Sequence, residues 1–210
     1  GVGLETPIVI YEDTTDNGYG QSCRGWMLLQ YLGYEHVQVL HGGYRAWIAC
    51  KHPVSLETPA RHPKALELTA RDGVFVNEQQ VLAARQEGVI LLDCRDYAEW
   101  IGANSSPYGY DYCPRKGRIP GAIWLEWYRF MRHEKGVSWF QPPEVVAAMC
   151  AAAGIPRDKT IYVYCFKGAR AASVVLALKM AGFSDVRNYF SSWNEWSRNL
   201  ELPIDEGYPD

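Results

Sequence analysis

Residues 160–182, TIYVYCFKGARAASVVLALKMAG, restrict the fold more than any other stretch of the chain. Residues 161–164 form a short, continuous apolar run bounded by polar positions, which reads as a buried strand. A tight loop follows, then a long apolar run closed by Gly182, which reads as a helix. Cys165 stands at the junction. A helix N-terminus presents unpaired backbone N–H groups and the positive end of a dipole. A thiolate placed there is stabilised, so the cysteine becomes a usable nucleophile near neutral pH. By itself a cysteine at a strand end is more often a small buried hydrophobe. The reading of Cys165 therefore rests on its surroundings.

The rest of the chain alternates in the same way. Residues 7–11 (PIVIY) read as a buried strand and residues 12–20 as a polar, glycine-rich loop. A helix is predicted over residues 22–32 with Gly33 as its stop, a strand over 37–40, and a helix from 44 to 49. Residues 51–64 hold Pro53, Pro59 and Pro63 and no apolar period, which marks a linker. A new unit starts at residue 69. Asn77 can cap a helix running through Arg85, and residues 89–93 (VILLD) suit a central parallel strand. A loop with a short helix (94–100), an irregular Gly/Ser/Pro/Tyr-rich insertion (101–117), a strand (118–125) and a helix (142–153) follow. After the opening stretch come a strand at 186–190 and a last short helix. Alternation of this kind implies an α/β fold with a mostly parallel sheet, whose sites lie beyond the carboxyl ends of its strands.

Two stretches match each other. Residues 8–47 and 161–196 share the order strand, loop, helix, Gly, strand, two small residues, aromatic, Trp. Aligned on Gly33 and Gly182, and with about four more loop residues in the first copy, Tyr11 falls on Tyr164 and Glu12 on Cys165. The chain thus reads as two copies of one unit, only the second carrying the nucleophile. Residues 69–159 complete a domain ahead of the second copy. Nothing equivalent precedes the first, so residues 1–50 read as the back half of a domain. Its apolar faces are expected to pack on the second domain or on a separate piece of chain.

Bulk properties exclude several classes. A net charge of −3 without a basic stripe gives no sign of nucleic-acid binding. No apolar run reaches membrane-spanning length. The six cysteines include no Cys-x-x-Cys pair and none near a His at zinc-finger spacing, so no metal site is expected.

Four pieces, LLDCRDYAEW, GRIPGAIWL, YCFKGARAA and GFSDVRNYFSSWNEW, resemble a multidomain rhodanese-type sulfurtransferase. The order and the aromatic-rich ending are most similar to a periplasmic bacterial thiosulfate sulfurtransferase with three rhodanese domains. The resemblance implies a rhodanese-like parallel sheet flanked by helices, with the C-terminal half of a preceding, cysteine-less rhodanese domain at residues 1–50. It also implies a linker at 51–68, a catalytic domain at 69–204 and a tail at 205–210. A periplasmic location follows from it, with the cytoplasm as the alternative, since the targeting region is not in this sequence. Cys165 matches the residue that carries a persulfide. The rest of the loop, Phe166, Lys167, Gly168, Ala169 and Arg170, matches the substrate-binding positions. Lys167 matches a basic residue that thiosulfate-using members place there. Expected partners are a small sulfur donor, a thiol or cyanide acceptor, and the missing N-terminal part of the same protein. No nucleic acid, membrane, metal or organic cofactor is implied. Other readings are a 3-mercaptopyruvate sulfurtransferase, or a sulfur-carrier or binding module with little turnover.

Chemistry agrees with the resemblance. Successive N–H groups at a helix start cradle an anion, first a thiolate and then a persulfide. Four residues separate Cys165 from Arg170. Tyrosine phosphatases use five, and the shorter loop suits one sulfur atom better than a tetrahedral phosphate. Two departures stand out. The family's Ile-Arg-Gly turn is Ile119-Pro120-Gly121 here, leaving Arg118 or a residue from the insertion to compensate, and its small-residue pair before the late aromatic is Ser191-Ser192, expected to affect turn geometry. Asp93 and Arg95 read as a structural ion pair and Glu99 as a surface residue. Trp193 and Trp196 suit either core or pocket wall. The tyrosines of the insertion (Tyr108, Tyr110, Tyr112) suit a solvated loop that could lie over the site.

Overall fold

The computed structural model describes residues 2–13, 18–60, 62–84 and 86–208. A first unit comprises β1 (Ile8–Ile10), α1 (Gly20–Tyr31), β2 (Val37–Val39) and α2 (Gly43–Ala49). Residues 51–60 and 62–74 carry no strand or helix. The remainder runs β3 (Phe75–Val76), α3 (Glu78–Ala84), β4 (Ile90–Asp93), α4 (Tyr97–Trp100), β5 (Ile123–Trp124), a 3-10 turn (Trp127–Phe130), β6 (Met131–Glu134), β7 (Val137–Phe140) and α5 (Pro143–Ala152). It ends with β8 (Ile161–Tyr164), α6 (Ala169–Met180), β9 (Val186–Tyr189) and α7 (Ser192–Trp196). The loop at 12–20 lies only partly within the described residues, and the expected helix end at Arg85 and the last two residues of the tail lie outside them.

The main sheet is wholly parallel, in the order β3-β9-β8-β4-β5. β8 sits at its centre, paired with β9 on one side and β4 on the other. Its side chains alternate between two cores, as the period of two along a strand requires. Ile161, Val163 and Cys165 enter a cluster with α5 and α6. Tyr162, Tyr164 and Phe166 enter a second cluster on the opposite face with Trp193 and Trp196.

The first unit packs on the second through its helix. Tyr19 and α1 residues Cys23, Trp26 and Met27 share one cluster with Val174, Val175 and Leu178 of α6. Each such large apolar side chain contributes roughly 1.5–3 kcal/mol when buried. One face of α1 is thus covered by α6. The far face of the first unit is open. Val9 is 54% and Tyr11 60% exposed, so β1 is not the buried strand its composition suggests. Among the described residues it pairs only with β2, whereas its counterpart β8 is covered by β4.

Two features depart from expectation in length or existence. The strand expected over 118–125 is confined to Ile123–Trp124, because Arg118 is bound antiparallel to Asp205 and residues 119–122 make a turn. The hairpin β6–β7 was not anticipated. It turns on Lys135 and Gly136, both at positive φ (51° and 76°), the geometry that matches hairpin twist. The hairpin docks on the first unit, where His41 Nε2 accepts the Phe140 N–H at 2.9 Å.

Candidate active site

β8 delivers Cys165 to the start of α6, with the sulfur buried beneath the loop. The loop turns at Gly168, whose φ of 74° favours glycine. A Cβ there would also lie 2.8 Å from the Phe190 carbonyl oxygen, so the position admits no side chain. The loop is clamped from outside. Trp193 N–H donates to Cys165 O (3.0 Å), Asn194 N–H to Phe166 O (3.2 Å), and Asn188 Nδ2 to Gly168 O (2.9 Å). With its carbonyls so engaged, the loop turns the N–H groups of Lys167 and Ala171 onto the sulfur.

Ser192 takes a larger part than turn geometry. It sits at φ 56°, a strained value for a side-chain-bearing residue. Its hydroxyl accepts the Cys165 N–H at 3.1 Å and donates to Tyr189 O at 2.7 Å. The strained backbone thus ties the nucleophile to the end of β9.

A second thiol completes the surroundings of the sulfur. β4 and β8 pair in register, Asp93 beside Tyr164. One residue further on, the Cys94 N–H donates to Tyr164 O at 3.1 Å, which brings Cys94 beside Cys165 on the same face of the sheet. The Cys94 thiol lies 3.2 Å from Tyr164 O and also reaches the Cys165 sulfur. Burial opposes ionisation of Cys165 and is the largest single influence. The Cys94 thiol, the Arg170 charge and the N–H groups of Ala171 and Lys167 together outweigh it. The Cys165 thiol is therefore held well below the usual thiol range. Burial, with the Cys165 sulfur nearby, pushes the Cys94 thiol well above that range, so Cys94 remains a protonated donor.

The remaining expected site residues separate by role. Arg170 closes the loop, but its guanidinium is bound by Glu99 at 2.6 Å and Asp96 at 3.2 Å. Glu99 is not a surface residue. It is 2% exposed, because the capping box of α4 turns it inward beneath Arg170. Lys167 is exposed, with Nζ 5.2 Å from the Phe166 ring centre and 5.7 Å from that of Tyr112. Ala169 lines the cleft at the first turn of α6. Asp93 and Arg95 form a fully buried ion pair at 2.5 Å, joined by the Tyr164 hydroxyl, which donates to Asp93 at 2.7 Å. Trp193 and Trp196 are fully buried core residues, and Arg95 lies 4.5 Å over the Trp193 ring. Arg118 does not reach the site, being stacked on Trp100 and bound to Gly207 O at 2.7 Å. Tyr108 and Tyr112 of the insertion do wall it, and Tyr108 packs on Phe166 at 5.0 Å.

Together these residues line a cleft of ≈ 540 Å³ that opens above Cys165. Its far wall comes from the first unit, through Glu12, Gly20 and Arg24. There Glu12 occupies the place that Cys165 holds in the second unit. Its carboxylate accepts the Ser22 N–H at 3.2 Å and the Ser22 hydroxyl at 2.7 Å. Ser22 aligns with Ala171, so in each unit an anion meets the same N–H of its helix. A larger groove of ≈ 780 Å³ runs along the exposed face of the first unit, and its described lining holds no cysteine.

A parallel α/β sheet carries a cysteine at the end of its central strand, cradled by the N-terminus of the following helix. The chain belongs to the rhodanese-like domain family, which it matches over residues 3–50 and 77–199, and it is a rhodanese-type sulfurtransferase. It is 29% identical over 199 residues to a thiosulfate sulfurtransferase of Bos taurus, covering 93% of this chain and 64% of that protein. A thiosulfate sulfurtransferase of Pseudomonas aeruginosa is 29% identical over 203 residues, covering 96% and 70%. The sulfur carrier protein TtuD of Thermus thermophilus is 27% identical over 215 residues, covering 99% and 73%. Among solved structures, EanB in complex with ergothioneine superposes with a TM-score of 0.88 at 26% identity, over 100% of this chain and 53% of that one. This chain therefore spans about two thirds of these curated relatives and about half of EanB.

Proposed function

We propose that the protein is a thiosulfate sulfurtransferase working through a persulfide on Cys165. The Cys165 thiolate attacks the outer sulfur of thiosulfate. The sulfur–sulfur bond of the donor breaks, and sulfite departs with the bonding pair. The outer sulfur stays on Cys165 as a persulfide, its negative terminal atom held by the N–H groups of the loop from Phe166 to Arg170. Cyanide or a thiol then takes that sulfur, and the pair of electrons returning to Cys165 regenerates the thiolate. This is covalent, two-step catalysis. Lys167 offers the leaving sulfite a positive charge. The observation that carries the reading is the cradle itself: a buried thiol held well below its usual range by N–H groups, a neighbouring thiol and a guanidinium.

One assay tests it. Thiosulfate and cyanide are mixed with the protein and thiocyanate is measured, while the mass of Cys165 is followed with thiosulfate alone. Thiocyanate and one added sulfur on Cys165 are expected, and Cys165→Ser should lose both while keeping its fold. Absence of both products in the native protein defeats the proposal. Steady-state comparison with 3-mercaptopyruvate decides the donor.

A sulfur-carrier role is favoured by the open cleft, whose aromatic rim accepts something larger than cyanide. In that case Cys165 would take up sulfur but pass it faster to a thiol than to cyanide. The first unit is read as the back half of a rhodanese domain that walls the site and has Glu12 in place of the cysteine.

A further inference from the structure

We propose that Arg24, supplied by the first unit, binds the anionic end of the sulfur donor in the Cys165 cleft. The argument begins with where α1 lies. Its first residue, Gly20, packs against Ala169 at the start of α6, so the N-terminal ends of the two helices meet at the cleft. Arg24, one turn into α1, lines the same cleft as Cys165 and Lys167.

The charges on the walls do not balance evenly. Glu12 is bound by Ser22. Asp13 is paired with Arg45 at 2.7 Å. Asp96 takes the Trp127 indole N–H at 2.9 Å and Arg170 at 3.2 Å. Arg170 is held by Glu99 and Asp96. Two cations remain, Lys167 and Arg24. Lys167 rests beside aromatic rings, and Arg24 is half-buried without an ion pair or hydrogen bond among the described residues. A guanidinium offers a planar fork that matches two oxygens of a sulfonate or carboxylate. A cleft of ≈ 540 Å³ is roughly 10 Å across, about one screening length at 0.1 M salt. An anion entering it meets Arg24 from the first unit and Lys167 from the second. Glu12, by filling the helix start of the first unit, prevents the donor from binding at that N-terminus instead.

The ligand class is a small sulfur compound with a sulfonate or carboxylate end, a choice that rests on the sulfurtransferase reading. The experiment is built to separate the two ideas. Cys165 in the full chain is alkylated with iodoacetate, an anion, and with iodoacetamide, its neutral counterpart. Both rates are read at the Cys165 peptide by mass spectrometry for the native protein, Arg24→Met and Arg24→Lys. Arg24→Met is expected to slow iodoacetate on the order of tenfold while leaving iodoacetamide and its pH profile unchanged. Arg24→Lys should recover part of the loss. With thiosulfate and cyanide, Arg24→Met should raise KM with kcat near native. An unchanged rate ratio in Arg24→Met overturns the proposal, as does an equal slowing of both reagents. If the native protein makes no thiocyanate but shows the ratio effect, the thiosulfate reading fails and the anion site stands.

Discussion

Replacing Cys94 with alanine tests the electrostatics of the nucleophile most directly. Cys94 is buried beside Cys165, and its protonated thiol, which donates to Tyr164 O at 3.2 Å, favours the charged form of Cys165 when its one proton turns to that sulfur. Hydrogen bonds to charged groups are worth about 1.5–3 kcal/mol, and a thiol is a weak donor, so the low end applies. At 1.36 kcal/mol per pH unit, about 1.5 kcal/mol corresponds to a shift of about one unit. The sign is upward, because the lost bond favoured the charged form. The shift is partial, since Arg170 and the N–H groups of Lys167 and Ala171 remain. The assay is the rate of Cys165 alkylation by iodoacetamide against pH. In the native protein the rate should hold through neutral pH and fall only as pH drops through the depressed thiol value. In Cys94→Ala the fall should begin about one unit higher, with roughly tenfold slower reaction on the acid side. Cys94→Ser, which keeps a donor, should restore the native curve. An unmoved curve in Cys94→Ala, or a serine variant that behaves like alanine, would refute the reasoning.

Three further outcomes follow from the packing. Arg95→Met leaves the buried Asp93 carboxylate without its partner and should cost about 3–5 kcal/mol in urea unfolding, with Asp93→Asn/Arg95→Met recovering part of it. Gly168→Ala forces a Cβ against Phe190 O at positive φ, so thermal unfolding should show lower stability, and thiosulfate turnover should drop with it. Tyr11→Ala should change urea stability by less than about 0.5 kcal/mol, whereas Tyr164→Ala, its buried counterpart, should cost at least about 3 kcal/mol. Equal costs at the two tyrosines would mean that the open face of the first unit is covered in solution.

The strand–loop–helix around Cys165 was legible because its signals are local. Alternating apolar side chains, a turn glycine and an apolar helix need no distant partner to be read, and neither did the match between residues 8–47 and 161–196. The β6–β7 hairpin was missed because residues 131–140 carry no strong apolar alternation; Lys135-Gly136 was the only cue. Glu99 looked like a surface residue because acidic residues on short helices usually are. Only the placement of α4 against α6 turns it under Arg170.

The amino-acid order alone determined the chemistry available: a cysteine at a helix start, a six-residue loop and a first unit with glutamate in the same place. Tertiary structure decided what surrounds that sulfur. Strand adjacency places Cys94 beside Cys165 although 70 residues separate them. Helix packing brings Arg24 to the cleft and commits Arg170 to Glu99 rather than to open solvent. The physical reason is the same in each case. A backbone conformation is chosen by near neighbours along the chain, whereas the charge state of a thiol and the balance of charge in a cleft are summed over every group in space, whatever its place in the sequence.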